Sequence, residues 1–258
     1  MGTHLERILE GVRADLAARK SRVPFAEIAR RADARGPATE RWRTIPDGPG
    51  VIAEIKRASP SRGWIRRELD AVATAREYLS GGAWAISVLT EGRLFGGSLE
   101  DLVRIREDRP DAILLRKDFL LDEYMLAESR AHGADLALLM VSVLGDRTAD
   151  MVALARKYRL EPLVEVHTAE ELLAAGRAQA RLIGINNRDL ATLTVDLSTA
   201  ERLLSLVPDG AIPVVESGIS EAAQVRRLHG LGARLFLVGE SLVGSPNPAD
   251  TIRGYVGQ

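Results

Sequence analysis

The chain has 258 residues, enough for two average domains or one large barrel. Hydrophobic residues make up 46% of it and aromatic ones only 4%, so any core must be filled by Leu, Val, Ile and Ala. A formal net charge of −1 gives no bulk pull towards nucleic acid or an anionic membrane, and the absence of cysteine excludes disulfides and thiolate metal sites.

The N-terminal stretch "MGTHLERILEGVRADLAARK" is too charged for a secretory signal, and no run approaches the roughly 18 apolar residues of a membrane span. A cytoplasmic location is expected. Leu5, Ile8, Leu9, Val12 and Leu16 form a helical stripe, and "PFAEIARRAD" predicts a second helix. "ARGPATERWRTIPDGPG" reads as a linker. These helices are expected to plug the bottom of the fold or to pack on its side.

From Val51 onward, eight short apolar runs recur. They are "VIAEIK", "AWAISVL", "AILLRK", "DLALLMV", "PLVEVH", "LIGINN", "IPVVES" and "RLFLVGE". Amphipathic stretches such as "LDAVATAREYL" and "TADMVALARKYR" lie between them. Several end in Gly just before the next run, which is the helix C-cap position. Near-continuous apolar runs are the mark of strands buried on both faces. Eight such units predict a single (β/α)8 TIM barrel over residues 1–258, with residues 1–45 as an N-terminal helical extension. A doubly wound open sheet is the alternative, but no glycine-rich nucleotide turn supports it.

In such a barrel, inward residues at the C-terminal strand ends form the active-site floor. Alternation on the first run puts Ile52, Glu54 and Lys56 on one face. The pattern recurs with Lys117 in the third run, Glu165 and His167 in the fifth, Asn186 in the sixth and Glu216 in the seventh. One reading is a set of ion pairs that hold the barrel closed. Buried ion pairs are poor fold stabilisers, however, and titratable groups gathered at one end point to acid–base chemistry. After the last two runs, "ESGIS" and "GES" place small residues where backbone N–H groups can approach a phosphate. Histidines 4, 132, 167 and 229 show no metal-ligand spacing.

Seven segments in order, "VIAEIKRASPSRG", "SVLTEGRLFGGSLEDL", "LLRKDFLLDEYM", "LVEVHTAEEL", "IGINNRDL", "VVESGI" and "LVGESL", resemble the monofunctional form of indole-3-glycerol-phosphate synthase. The likeness runs from about residue 51 to the end. Leu94 stands where the family often has a second aromatic residue. The resemblance implies a decarboxylating lyase of tryptophan biosynthesis that needs no cofactor and no metal. It implies Lys117, Glu165, Glu54, Lys56, Asn186 and Glu216 as catalytic residues, with Lys117 as the acid lying among Glu54 and Glu165. It implies that Ser59, Ser217, Gly218, Gly239 and Glu240 hold the phosphate. Phe95, Phe119 and Leu190 would contact the aromatic ring, and Arg188 would assist with the carboxylate. The expected partner is a phosphorylated small molecule, with no nucleic acid and no membrane. A monomer is expected, with a weak homodimer as the alternative. Two rivals are a Schiff-base aldolase working through Lys117 and a catalytically silent barrel kept as a binding module.

Overall fold

A computed structural model describes residues 4–36, 40–60, 62–189 and 192–257. Eight parallel strands close into a barrel: β1 (Gly50–Ile55), β2 (Ala85–Leu89), β3 (Leu114–Lys117), β4 (Leu136–Met140), β5 (Glu161–Val166), β6 (Leu182–Asn186), β7 (Ile212–Glu216) and β8 (Leu235–Val238). Each strand pairs with its neighbours in sequence, and β8 pairs with β1. The open-sheet alternative is thereby excluded. The strands are buried on both faces because their inner side chains fill the barrel and their outer ones meet the helices.

Local chemistry sets the helix ends. The side chains of Asp70, Ser98, Asp122 and Thr168 accept hydrogen bonds from the first backbone N–H groups of the helices they precede. Gly82, Gly133 and Gly232 follow helices with φ of 87°, 97° and 108°, a turn that other residues make only with strain.

The expected N-terminal helices are α1 (His4–Arg22) and α2 (Phe25–Asp33). They pack on the side of the barrel, with Leu9, Val12, Leu16, Ile28 and Ala32 buried. Arg19 pairs with Glu128 at 2.9 Å, and Tyr124 donates to the Val23 carbonyl at 3.1 Å. Asp15 accepts from Arg93, in the loop after β2, at 2.8 Å. The helices therefore reach the loops of the C-terminal face. Across the opposite end runs the segment after residue 40. Trp84 donates to the Thr44 carbonyl at 3.0 Å, Arg234 donates to that of Pro46 at 2.7 Å, and Trp42 is buried. Among the described residues no helix is long and apolar enough to cross a membrane.

Candidate active site

At the C-terminal end of the barrel lies a cavity with about 860 Å³ of empty space, part of it open to solvent. Glu54, Lys56, Lys117, Glu165, Asn186 and Glu216 all line it. So do Phe95, Phe119, Arg188, Ser217, Gly218, Gly239 and Glu240. The ends of all eight strands and the loops after them thus converge, and the charged and amide side chains on the strands themselves are those that the inward alternation of the sequence predicts.

Barrel closure sets the partners. Glu54 and Lys56, two apart on one strand face, form an ion pair at 2.8 Å. Lys117 Nζ sits 3.4 Å from Glu165 Oε2 and 3.4 Å from Glu216 Oε2. The carboxylates in direct contact with Lys117 are therefore Glu165 and Glu216. Glu54 acts on it only from a distance, whereas the sequence reading put Glu54 beside it. Cross-barrel neighbours depend on closure, which no single strand reveals.

Two glycines make this packing possible. A Cβ on Gly184 would overlap Glu216 Oε1, and one on Gly239 would overlap Glu54 Oε1 and come within 3.0 Å of Lys56 Nζ. The backbone at both positions forms a wall against which charged side chains lie.

Burial disfavours the Lys117 ammonium, but Glu216, Glu165 and Glu54 outweigh it and raise its pKa. Burial likewise opposes the charged forms of Glu54 and Glu165. Lys56 and Lys117 overcome it for Glu54, and Lys117 and His167 overcome it for Glu165, so both stay below the usual carboxylate range. Glu216 goes the other way. Burial, reinforced by Glu165 and Glu54 and opposed by Lys117, pushes it up to about 8. The two carboxyl groups in contact with the Lys117 ammonium are thus pushed in opposite directions, and Glu216 is the one that holds a proton more readily.

His167 does not line the cavity. Its Nε2 lies 3.5 Å from Glu165 Oε1 and its Nδ1 lies 3.3 Å from Glu171, which also accepts from the His167 backbone N–H at 2.7 Å. It buttresses Glu165 from behind.

The loop after β7 turns through Ser217 and Gly218, with φ of 64° and 84°. Its small residues, with Gly239 and Glu240 after β8, form one end of the cavity. The Glu240 carboxylate is held by Arg62, and Arg188 approaches it at 3.6 Å. Ser59 is not on the cavity wall. It is buried in a two-residue ribbon, Ala58–Ser59 against Gly63–Trp64, and Ala58 N donates to the Phe95 carbonyl at 3.0 Å. Leu190 lies outside the described residues.

Two acids escape a reading of inward strand faces. Glu91 accepts from the backbone N–H groups of Arg93, Leu94 and Phe95 at 2.9, 2.8 and 3.1 Å, and so shapes the loop that presents Phe95. Its signal is an acidic residue opening the loop "EGRLFGG". Asp118 lines the cavity beside Lys117, one step past the strand end where alternation stops applying.

Barrel and cavity together define a (β/α)8 enzyme whose lysines and carboxyl groups gather at the C-terminal strand ends. A family model described as "Indole-3-glycerol phosphate synthase" matches residues 5–255. Curated indole-3-glycerol phosphate synthases of Paenarthrobacter aurescens and Mycobacterium ulcerans are 44% and 45% identical to the chain. Each comparison covers 98% of this chain, and it covers 95% and 94% of those proteins. The chain belongs to the indole-3-glycerol phosphate synthase family, whose reaction is that of a decarboxylating lyase in tryptophan biosynthesis and whose substrate is a phosphorylated small molecule. Among solved structures, 3-hexulose-6-phosphate synthase from Salmonella typhimurium superposes with a TM-score of 0.66 at 15% identity, covering 81% of this chain and 97% of that one. That likeness shows the shared barrel.

Proposed function

We propose that the cavity closes the pyrrole ring of 1-(2-carboxyphenylamino)-1-deoxyribulose 5-phosphate, with Lys117 as the first acid. The observation that carries this is the Lys117 ammonium held between Glu165 and Glu216. The aryl carbon bearing the carboxylate attacks the sugar ketone, and Lys117 donates its proton to the ketone oxygen. Carbon dioxide leaves, and its bonding electrons return to the ring. Lys56 then protonates the new hydroxyl, which departs as water. Glu165 takes the proton from the neighbouring carbon, with Glu54 supporting the charge. The sum consumes one proton, as loss of the carboxylate charge requires.

Lys56 also holds the substrate carboxylate, with Arg188 at its edge. Asn186 and Glu216 position the sugar hydroxyls. Backbone groups at Ser217, Gly218, Gly239 and Glu240 take the phosphate, and the Glu240 side chain is kept away from it by Arg62 and Arg188. Phe95 and Phe119 offer apolar surface to the aryl ring. A Schiff base through Lys117 would need a depressed pKa, and its carboxylate neighbours raise it instead.

The reading extends to a monomer acting in the cytoplasm. The absence of cysteine is compatible with a reducing compartment, and sedimentation at several concentrations tests the oligomeric state. The chemistry is tested with Lys117→Ala. Turnover, followed by indole fluorescence and carbon dioxide release, is expected to fall at least 100-fold, roughly the general-acid range. Affinity for indole-3-glycerol phosphate is expected to persist. A fall of less than about tenfold removes Lys117 as the acid.

A further inference from the structure

Lys117 is flanked in sequence by Arg116 and Asp118, and these two side chains meet each other around the strand end. The Arg116 side chain is 0% exposed. Its Nε donates to Thr90 Oγ1 at 3.0 Å and its Nη2 to Asp118 Oδ2 at 3.0 Å. Its Nη1 donates to Glu128 Oε2 at 3.0 Å and to the Met125 carbonyl at 3.1 Å. Thr90 Oγ1 donates to Asp118 Oδ2 at 2.6 Å, and the Thr90 backbone N–H donates to the Lys117 carbonyl at 3.1 Å. Asp118 Oδ1 accepts from the Phe119 N–H at 2.8 Å. Every one of the bonds around Thr90 and Asp118 closes on the residues immediately before, at or after Lys117.

A buried, fully bonded arginine is a costly way to fill space between a strand and a helix, and apolar side chains would do it at least as well. What the arrangement provides is geometry. A lysine has a flexible four-carbon stem, so its ammonium is only as well placed as the backbone that carries it. A misplacement of about 1 Å at a reacting group can cost on the order of 100-fold in rate.

We infer that Thr90, Arg116 and Asp118 form a staple around Lys117 that positions its ammonium, and the ring of Phe119, for the proton transfer. They are positioning residues, acting through Lys117, and the inference rests on Lys117 being the acid. Thr90 is the centre of the staple, since its hydroxyl bonds both charged partners.

The test compares three variants with wild type. Thr90→Val keeps shape and the backbone N–H but removes the hydroxyl. It is expected to lower kcat about tenfold or more while KM changes by less than about threefold. Thr90→Ser restores the hydroxyl and is expected to recover kcat to within about threefold of wild type. Thr74→Val removes a hydroxyl of similar burial, one that donates to the Asp70 carbonyl at 2.7 Å outside the barrel, and should lower Tm without touching kcat. Should Thr90→Val fail to fold, Asp118→Asn serves instead. It retains an acceptor for the Phe119 N–H, loses the charge that holds Arg116, and is expected to lower kcat likewise. Thr90→Val with kcat within about twofold of wild type, KM rising in step with any loss of kcat, or absence of rescue by Ser overturns the staple. Lys117→Ala assayed in parallel separates the two ideas. If that variant keeps its turnover, the acid itself was misassigned. If it is inactive while Thr90→Val is normal, only the staple fails.

Discussion

Buried acids sit at both ends of this barrel, and they are treated differently. At the N-terminal end, Glu161 accepts from Arg156 at 3.2 Å and from Arg181 at 3.1 Å, one guanidinium for each oxygen. Asp135 is held by Arg106 and accepts from the Leu114 backbone N–H at 3.0 Å. At the C-terminal end, Glu165 and Glu216 are just as buried, yet their shortest cation contacts are 3.4 Å, both to one lysine. Among the described residues neither oxygen of Glu216, nor Glu165 Oε1, has a hydrogen bond of good geometry. Burial of charge therefore does not distinguish a site from a structural ion pair. The capacity left unused does, because buried polar groups in a finished core are almost always satisfied. The lower carboxylates are saturated by guanidinium and backbone N–H donors, although Arg156 Nε and Arg130 Nε there lack a partner among the described residues, whereas the upper carboxylates keep acceptor capacity that a ligand's hydroxyl groups can use.

The sharpest way to break this contrast is to neutralise one acid at each end. Glu165→Gln keeps shape and one acceptor but cannot take a proton. It is expected to cut turnover by about 100-fold or more with little change in Tm. Glu161→Gln should do the reverse. It weakens two charged hydrogen bonds at a cost of about 1–3 kcal/mol, which is a drop of several degrees in Tm for a chain this long. Turnover per folded molecule should stay near wild type. Equal loss of activity in both, measured by steady-state assay and thermal melting, would mean that the ends are not functionally distinct.

A glycine pair extends the comparison with a smaller effect. Gly50 starts β1 at the lower end, where an added Cβ would come 2.6 Å from Leu235 Cδ2. Gly184 lies across from Glu165, where an added Cβ would overlap Glu216 Oε1. Either Ala substitution should cost about 1–3 kcal/mol through overpacking. Only Gly184→Ala should also lower kcat, by roughly tenfold, because the group displaced is one that positions Lys117. A normal kcat in that variant would show that the Glu216 carboxyl can move without consequence.

Much of this was legible in the sequence because alternation along a buried strand is a local rule. Glu54, Lys117, Glu165, Asn186 and Glu216 could each be assigned inward from their own strand alone. What was illegible depends on closure or on where alternation ends. The exchange of Glu216 for Glu54 beside Lys117 follows from how eight strands meet across the axis. Arg116 was hidden because its parity points it away from the cavity, and Asp118 because it lies one step past the strand end, where alternation no longer applies. Ser59 sits in a motif that the resemblance assigns to phosphate, but the ribbon it forms buries it off the cavity wall. The side-on placement of α1 and α2 rests on Asp15, Arg19 and their distant partners, which no helical stripe could name.

The smallest effect concerns the pH dependence of stability, and it isolates Glu216. Its pKa is about 8 in the fold against an ordinary value of 4.5, chiefly because burial disfavours its charge. Between those values the folded protein holds a proton that the unfolded chain has released. Stability then falls as pH rises, since its slope follows the protons bound by the unfolded state minus those bound by the folded one. The contribution is fully present below about 4.5 and is lost as pH rises through about 8. Glu165 has the opposite sign, with a lowered pKa, so its stabilisation is lost only as pH falls below the usual carboxylate range. His167 is raised from 6.5, because Glu171 and Glu165 outweigh its burial, and so adds a loss with rising pH that both proteins share. Glu216→Gln is neutral throughout and has no such loss. Melting wild type and Glu216→Gln between pH 5.5 and 8.5 should therefore show a gap in Tm that moves in favour of the variant as pH rises, by a few degrees in a chain of this size. Parallel curves would mean that Glu216 is already ionised at the low end of that range. The protonated carboxyl beside Glu165 would then be wrong, and the upper end would carry one more negative charge towards an anionic substrate than the geometry implies.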